Sequence, residues 1–208
     1  TKVRHMVWNS LDTMNKHSSY YHRRVKNHYI VHGFDPDEFH PIPSIERNGR
    51  VLAISNVYKA RNHFLDYNTF HRVSNKLQVC DVVGHGNDDI PEAIGEASTF
   101  QDLIIYHNMY SVYLNTTVRS AMPRGRAEAA MSGMPICSTC NYDIGRYFTH
   151  NKDIVFANSY PEMVRELNKL LKNTKLAAEI GARGRETAIK HFHINDFVGK
   201  WNSIFESL

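Results

Sequence analysis

The stretch SVYLNTTVRSAMPRGRAEAAMSGMPICS, residues 111–138, changes its period twice. Residues 111–114 and 135–138 are short apolar runs, each too short for a helix and of the right length for a strand buried on both faces. Between them, residues 125–132 space their small and apolar side chains as a helix does. A strand, a loop, a helix and a second strand in so short a span form a β-α-β unit, and such a unit lays its strands parallel through a right-handed crossover.

Working outward, the same grammar repeats. VLAIS (51–55), LQVCDVV (77–83) and IVFA (154–157) are further candidate strands, and residues 60–74, 99–108 and 143–149 carry helical spacing. Strand and helix alternate over about half the chain, which predicts an α/β, Rossmann-like parallel sheet flanked by helices. The last fifty residues instead read as successive helices packed on that sheet, with Ser159 and Asn195 as expected N-caps. His191 and His193 are expected to flank a buried Phe192 near a helix end. The first forty residues form another piece: a strand-like KVRHMVWN, a helix to Tyr20, a strand NHYIVHG, then GFDPDEFHPIP, a linker by composition. The expected divisions are 1–42, the remnant of a preceding domain and its linker; 43–190, the sheet domain; and 191–208, a closing helix. Because the first run already alternates like a strand, the chain is expected to begin inside a longer gene product.

Composition excludes several classes. No window approaches the roughly 18 apolar residues of a membrane-spanning helix. Twenty-five basic against 21 acidic residues is a mild excess that does not imply nucleic acid. The most basic run, YYHRRVKNH at residues 20–28, reads as a solvated helix end. Cys80, Cys137 and Cys140 are an odd number for a disulfide framework and fit a reducing compartment, the cytoplasm. The C-x-x-C of Cys137 and Cys140 lacks the second pair a zinc site needs, and Cys137 sits in an apolar run where a small buried residue is expected. No metal site is expected.

In an open parallel sheet, ligands bind beyond the carboxyl ends of the strands, so the loops after strands are the candidate sites. After VLAIS, Asn56, Lys59 and Arg61 stand at a helix entrance, either as a phosphate seat or as solvated charges. After LQVCDVV, Gly84 and Gly86 permit tight turns, and His85 and Asn87 are possible edge contacts. The dinucleotide fingerprint is not met, because position 89 is Asp. After SVYLN, Pro123 preorganises a turn, Gly125 allows close backbone approach, and Arg124 and Arg126 bring charge to a helix start. That is a diphosphate site in outline. Glu128 either accepts hydrogen bonds from a ribose diol or merely favours the helix dipole. After PICS, Asn141, Tyr142 and Asp143 either contact a ligand or only cap and turn the chain.

Taken together, these stretches resemble the C-terminal, donor-binding domain of retaining GT-B glycosyltransferases, the large group 1 or family 4-like set that includes glycogen synthases. YIVHGFDPDEFHP is similar to that family's interdomain connection. Arg61 falls where the family has a phosphate-binding Lys, GRAEAAMSGMPICST matches its Glu-Ala, Gly-Pro and strand pattern, and EIGARGRETAIKHFHINDFVGKWNSIFE, residues 179–206, resembles its closing helices. The resemblance implies a nucleoside diphosphate sugar such as a UDP-sugar as donor, with no cofactor. It also implies an acceptor glycan, lipid-linked sugar or other hydroxyl compound, and an N-terminal domain completing the cleft. The implied donor-binding set is Asn56, Lys59, Arg61, Gly84, His85, Ser120, Met122, Arg124, Gly125, Arg126 and Glu128, with Arg61 and Glu128 carrying catalysis. Glu128 matches the second of the family's two glutamates, the ribose contact. Ser120 occupies the place of the first, and Asn62 that of a Gly. A non-catalytic nucleotide-sugar module and a GT-B-fold epimerase are the alternatives.

Overall fold

The structure is a computed structural model that describes residues 3–20 and 25–208. Five strands, β3 (Val51–Ile54), β4 (Cys80–Val83), β5 (Val112–Asn115), β6 (Ile136–Ser138) and β7 (Val155–Phe156), form one parallel sheet in the order β4-β3-β5-β6-β7. The alternation of side chains along each strand explains why the runs read as continuously apolar. Leu52, Val83, Tyr113, Ile136 and Ile154 point into one buried cluster, and Val51, Val82, Val112, Leu114, Cys137 and Val155 into another on the opposite face.

Helices cover both faces. The helices α4 (Phe100–Met109) and α5 (Arg124–Met131) bring Ile104, Ala127 and Met131 to the first cluster. The helices α3 (Tyr67–Leu77) and α7 (Tyr160–Lys172) bring Phe70, Val73, Met163, Leu167 and Leu170 to the second. The long α8 (Thr174–Phe192) serves both, giving Ala177 and Ile180 to one face and Ala188 and Phe192 to the other. Full burial of Phe70 alone is worth about 2–3 kcal/mol. The class is therefore the expected α/β one, a three-layer parallel sheet.

Several boundaries differ from the sequence expectation for identifiable reasons. The helix expected over 60–74 is broken into α2 (Asn62–Leu65) and α3, because Asp66 adopts a left-handed conformation (φ 53°) and caps α3 by accepting from the Thr69 N–H. Residues 77–79, expected in a strand, close α3 and lead from it, with Gln78 left-handed. Helix α6 (Ile144–Tyr147) is shorter than its expected span. Ser159 does precede α7, but the last helix, α9 (Ile194–Phe205), is capped by His193, whose Nδ1 accepts from the Asn195 N–H, rather than by Asn195. Phe192 is buried at the end of α8, as its flanking histidines suggested.

The amino-terminal piece pairs β1 (His5–Trp8) with β2 (Lys26–Tyr29) in parallel, joined through α1 (Leu11–His17) and a 3-10 turn at Ser18–Tyr20. Of the basic run 20–28, residues 21–24 lie outside the described residues. Lys26, Asn27 and His28 are in β2, so the expected helix end is a strand there. The Pro-rich run after β2 is fastened down. Phe34 and Phe39 are buried in the first cluster, and Arg185 donates to the carbonyls of Phe39 (2.6 Å), Pro36 (3.0 Å) and Met131. Among the described residues no helix is long and apolar enough to cross a membrane.

Candidate functional site

The strand order places a switch point between β3 and β5, where successive crossovers leave the sheet on opposite sides and open a crevice beyond the strand ends. A cleft of about 350 Å³ lies there, within the range of small-molecule sites. Ser55, Asn56 and Arg61 line it from the β3 loop, Asn115, Thr117 and Ser120 from the β5 loop, and Pro123, Arg124, Gly125 and Glu128 from the start of α5.

Helix α5 has no side-chain cap at Pro123 and no acidic residue in its first turn. The Arg126 N–H is taken by the Pro123 carbonyl (3.3 Å), so what α5 offers the cleft is the N–H groups of Arg124 and Gly125, both of which line it, and the positive end of its dipole. Arg124, two-thirds exposed, lies on the same side with its Nε 3.4 Å from Glu128 Oε1. Glu128 is 6% exposed and sits in the second turn, so it is not placed merely to favour the dipole. Burial pushes its carboxyl up from the ordinary glutamate value, and Arg124 pulls it partly back.

Beneath Glu128 stands His107, fully buried, with Nε2 3.8 Å from Glu128 Oε2. The distance suggests an ion pair, but burial and then the nearby Arg47 push the imidazole down to about 3. His107 is thus neutral at ordinary pH, and its ring nitrogens have no hydrogen-bond partner among the described residues. Sequence gives no hint of this residue, since its place depends on α4 meeting α5 across the sheet face.

The cleft gathers Asn56, Arg61, Ser120, Arg124, Gly125 and Glu128. It does not gather the other five candidates. Lys59 turns away to Asp89 (2.9 Å). His85 faces Glu96 (3.5 Å), and its N–H is taken by Asn56 Oδ1 (2.9 Å). Gly84 serves a backbone crossing, with φ at 148° and a hypothetical Cβ 2.2 Å from the Ser55 carbonyl. Asn87, 2% exposed, is a staple rather than an edge contact: its amide donates to the carbonyls of Ser55 (2.6 Å) and Gly84 (2.8 Å). Met122 is packed in the core.

Arg126 is buried as well, because two helical steps from Arg124 turn it through about 200° and away from the cleft. Gly125 lines the cleft, yet its missing side chain also makes room for the Tyr113 hydroxyl, which a Cβ would meet at 2.3 Å. In the fourth loop, Asp143 caps α1 from afar, accepting from the N–H groups of Leu11 (2.5 Å) and Asp12 (3.0 Å). Cys137 is buried and Cys140 exposed, both as free thiols.

A family model described as "Glycosyl transferase-like" matches residues 70–201. No curated protein sequence matches the chain. Among solved structures, Anabaena HepE in complex with UDP and glucose is similar at a TM-score of 0.77 and 14% identity, covering 99% of this chain and 63% of that one. Sucrose-phosphate synthase from Thermosynechococcus elongatus is similar at 0.80 and 10%, covering 98% and 58%. TarM of S. aureus, in complex with Fondaparinux, alpha-GlcNAc-glycerol and UDP, gives 0.74 and 15%, covering 98% and 44%. The chain thus spans less than two thirds of the structures it resembles. With more than half of its residues matched by that model, the chain belongs to the glycosyl transferase-like family, and its fold is that of the C-terminal domain of a GT-B glycosyltransferase.

Proposed function

We propose that this chain is the donor-binding half of a glycosyltransferase, holding a nucleoside diphosphate sugar, a UDP-sugar in the first instance, for transfer to an acceptor hydroxyl. The observation that carries this is the cleft at the switch point, where Arg61, Arg124 and the uncapped start of α5 converge beside a buried carboxylate. Cations and free N–H groups at one end suit a diphosphate, and Glu128 suits a ribose diol. The UDP bound by the HepE and TarM structures supports the choice of nucleotide.

In the transfer, the bond from the anomeric carbon to the diphosphate breaks with its electron pair going to the leaving oxygen. The acceptor oxygen forms the new bond, and its proton passes to the leaving diphosphate oxygen. Arg61, Arg124 and the α5 N–H groups stabilise the charge on the leaving diphosphate without a metal, and Glu128 orients the donor. Retention of configuration and a cytoplasmic setting, which the three free thiols suit, complete the proposal. Acceptor contacts belong to a further domain, so this chain alone is expected to bind donor and transfer little.

Ser120 at the sugar end, where the resemblance calls for a carboxylate, favours a second reading, a non-catalytic nucleotide-sugar module. Donor turnover by the full-length gene product separates the two. UDP release coupled to a glycosylated acceptor supports transfer, and donor binding without any turnover supports the module.

A further inference from the structure

Arg126 has a surrounding that the cleft surface does not explain. Its side chain is 2% exposed, and, of the described residues, no carboxylate is among the groups that act on its charge. Burial lowers the guanidinium only to about 10, so it remains a cation at neutral pH. Its Nε and Nη2 have no hydrogen-bond partner among the described residues. A buried, uncompensated charge of this kind is among the least favourable groups a core can hold, and replacing such groups by apolar ones is often neutral or stabilising.

Among the described residues, all the hydrogen bonds of its side chain come from one nitrogen. Nη1 donates to Asn141 Oδ1 at 2.7 Å, and more weakly to Ser138 Oγ (3.3 Å) and the Thr139 carbonyl (3.4 Å). Asn141 passes the connection on, its amide donating to the carbonyls of Thr117 (2.9 Å) and Ser120 (3.3 Å). The Thr139 hydroxyl adds a bond to the Thr117 carbonyl (2.5 Å). The two ends of loop 117–120 therefore hang from the interior of α5, while its middle is held by the Phe64 carbonyl, which accepts from the Val118 (2.9 Å) and Arg119 (3.0 Å) N–H groups; both Thr117 and Ser120 line the cleft. Three residues after Ser120, at Pro123, the chain turns into α5.

Resting on the reading of this cleft as a nucleotide-sugar site, we propose that Arg126 is a positioning residue for its diphosphate end. Through Asn141 it locks loop 117–120 to α5 and fixes the angle at which the free α5 N–H groups meet an anionic ligand. Glu128, which lines the cleft itself, is outside this relay and grips the nucleoside independently.

The test compares UDP with uridine, by competition calorimetry on the chain, for wild type, Arg126→Met and Asn141→Ala. Both variants are expected to lose about tenfold in UDP affinity, the scale of a hydrogen bond to a charged group, while uridine affinity stays within about twofold. A merely structural role lowers both affinities together with the melting temperature, and that result, or unchanged UDP affinity, overturns the proposal. Should Arg126→Met fail to fold, Asn141→Ala, at a half-buried position, decides the matter alone. A wild-type chain that binds neither ligand overturns the nucleotide reading itself and this inference with it. Normal wild-type binding with unaffected variants overturns only the inference.

Discussion

His107→Phe should make the protein resistant to acid. The imidazole is fully buried, packed edge-on to Phe39 and tilted against Tyr113, and neither ring nitrogen has a hydrogen-bond partner among the described residues. A phenyl ring keeps the packing and forfeits no hydrogen bond. Burial holds the folded imidazole down to about 3 against an ordinary 6.5. The unfolded chain therefore takes up a proton below about pH 6.5 that the folded chain refuses, and stability falls as pH falls.

At about 1.4 kcal/mol per unit, this one ring costs wild type about 3 kcal/mol between pH 6.5 and pH 4. That is a large share of a typical total of about 5–15 kcal/mol. Urea unfolding at intervals from pH 7 to pH 4 measures it. Acids remote from His107 titrate alike in both proteins and cancel in the difference, and repeating the pair of measurements in a Glu128→Gln background removes the one acid in contact with the ring, 3.8 Å away. The gap between the variant and wild type should open by about 3 kcal/mol as pH is lowered. Parallel curves would refute the assignment of a buried neutral imidazole.

Three further outcomes follow from packing and capping. Gly181→Ala places a Cβ 2.2 Å from the Gly133 carbonyl and should cost about 1–3 kcal/mol by denaturation. The same exchange at Gly199 of α9 meets nothing within 4 Å and should stabilise by up to about 1 kcal/mol. Asp143→Ala removes the acceptor for the Leu11 and Asp12 N–H groups. Amide exchange should accelerate across α1 before the central sheet responds, with a loss of about 1–2 kcal/mol. Glu128→Gln tests the raised carboxyl. The folded state binds its proton more tightly than the unfolded one, so wild type pays for ionisation as pH rises, and the variant's relative stability should improve between pH 4 and pH 7.

The parallel sheet was legible because strands buried on both faces leave apolar runs too short for a helix, set between stretches of helical spacing. What escaped was set by geometry between distant segments. Asp66 breaks a helix whose apolar spacing, Tyr67, Phe70 and Val73, runs on beyond it, and only its left-handed backbone marks the break. Arg124 and Arg126 look equivalent as charges beside Gly125, although the helical step of about 100° per residue sends one to the cleft and the other to the core. Lys59 and Arg61 divide in the same way, the first paired with Asp89 and the second lining the cleft. Asn87, Asn141 and His107 gained their positions only when loops far apart in the chain came together.

The central claim is that the cleft beside α5 grips a nucleoside diphosphate through Glu128 and Arg61. Calorimetric titration of the chain with UDP tests it most directly, with Glu128→Ala and Arg61→Ala alongside wild type. Wild type should bind saturably, Glu128→Ala about tenfold or more weakly through loss of charge-assisted hydrogen bonds to the ribose, and the more exposed Arg61→Ala by a smaller factor of roughly three to ten. Affinity unchanged in both variants would contradict the claim.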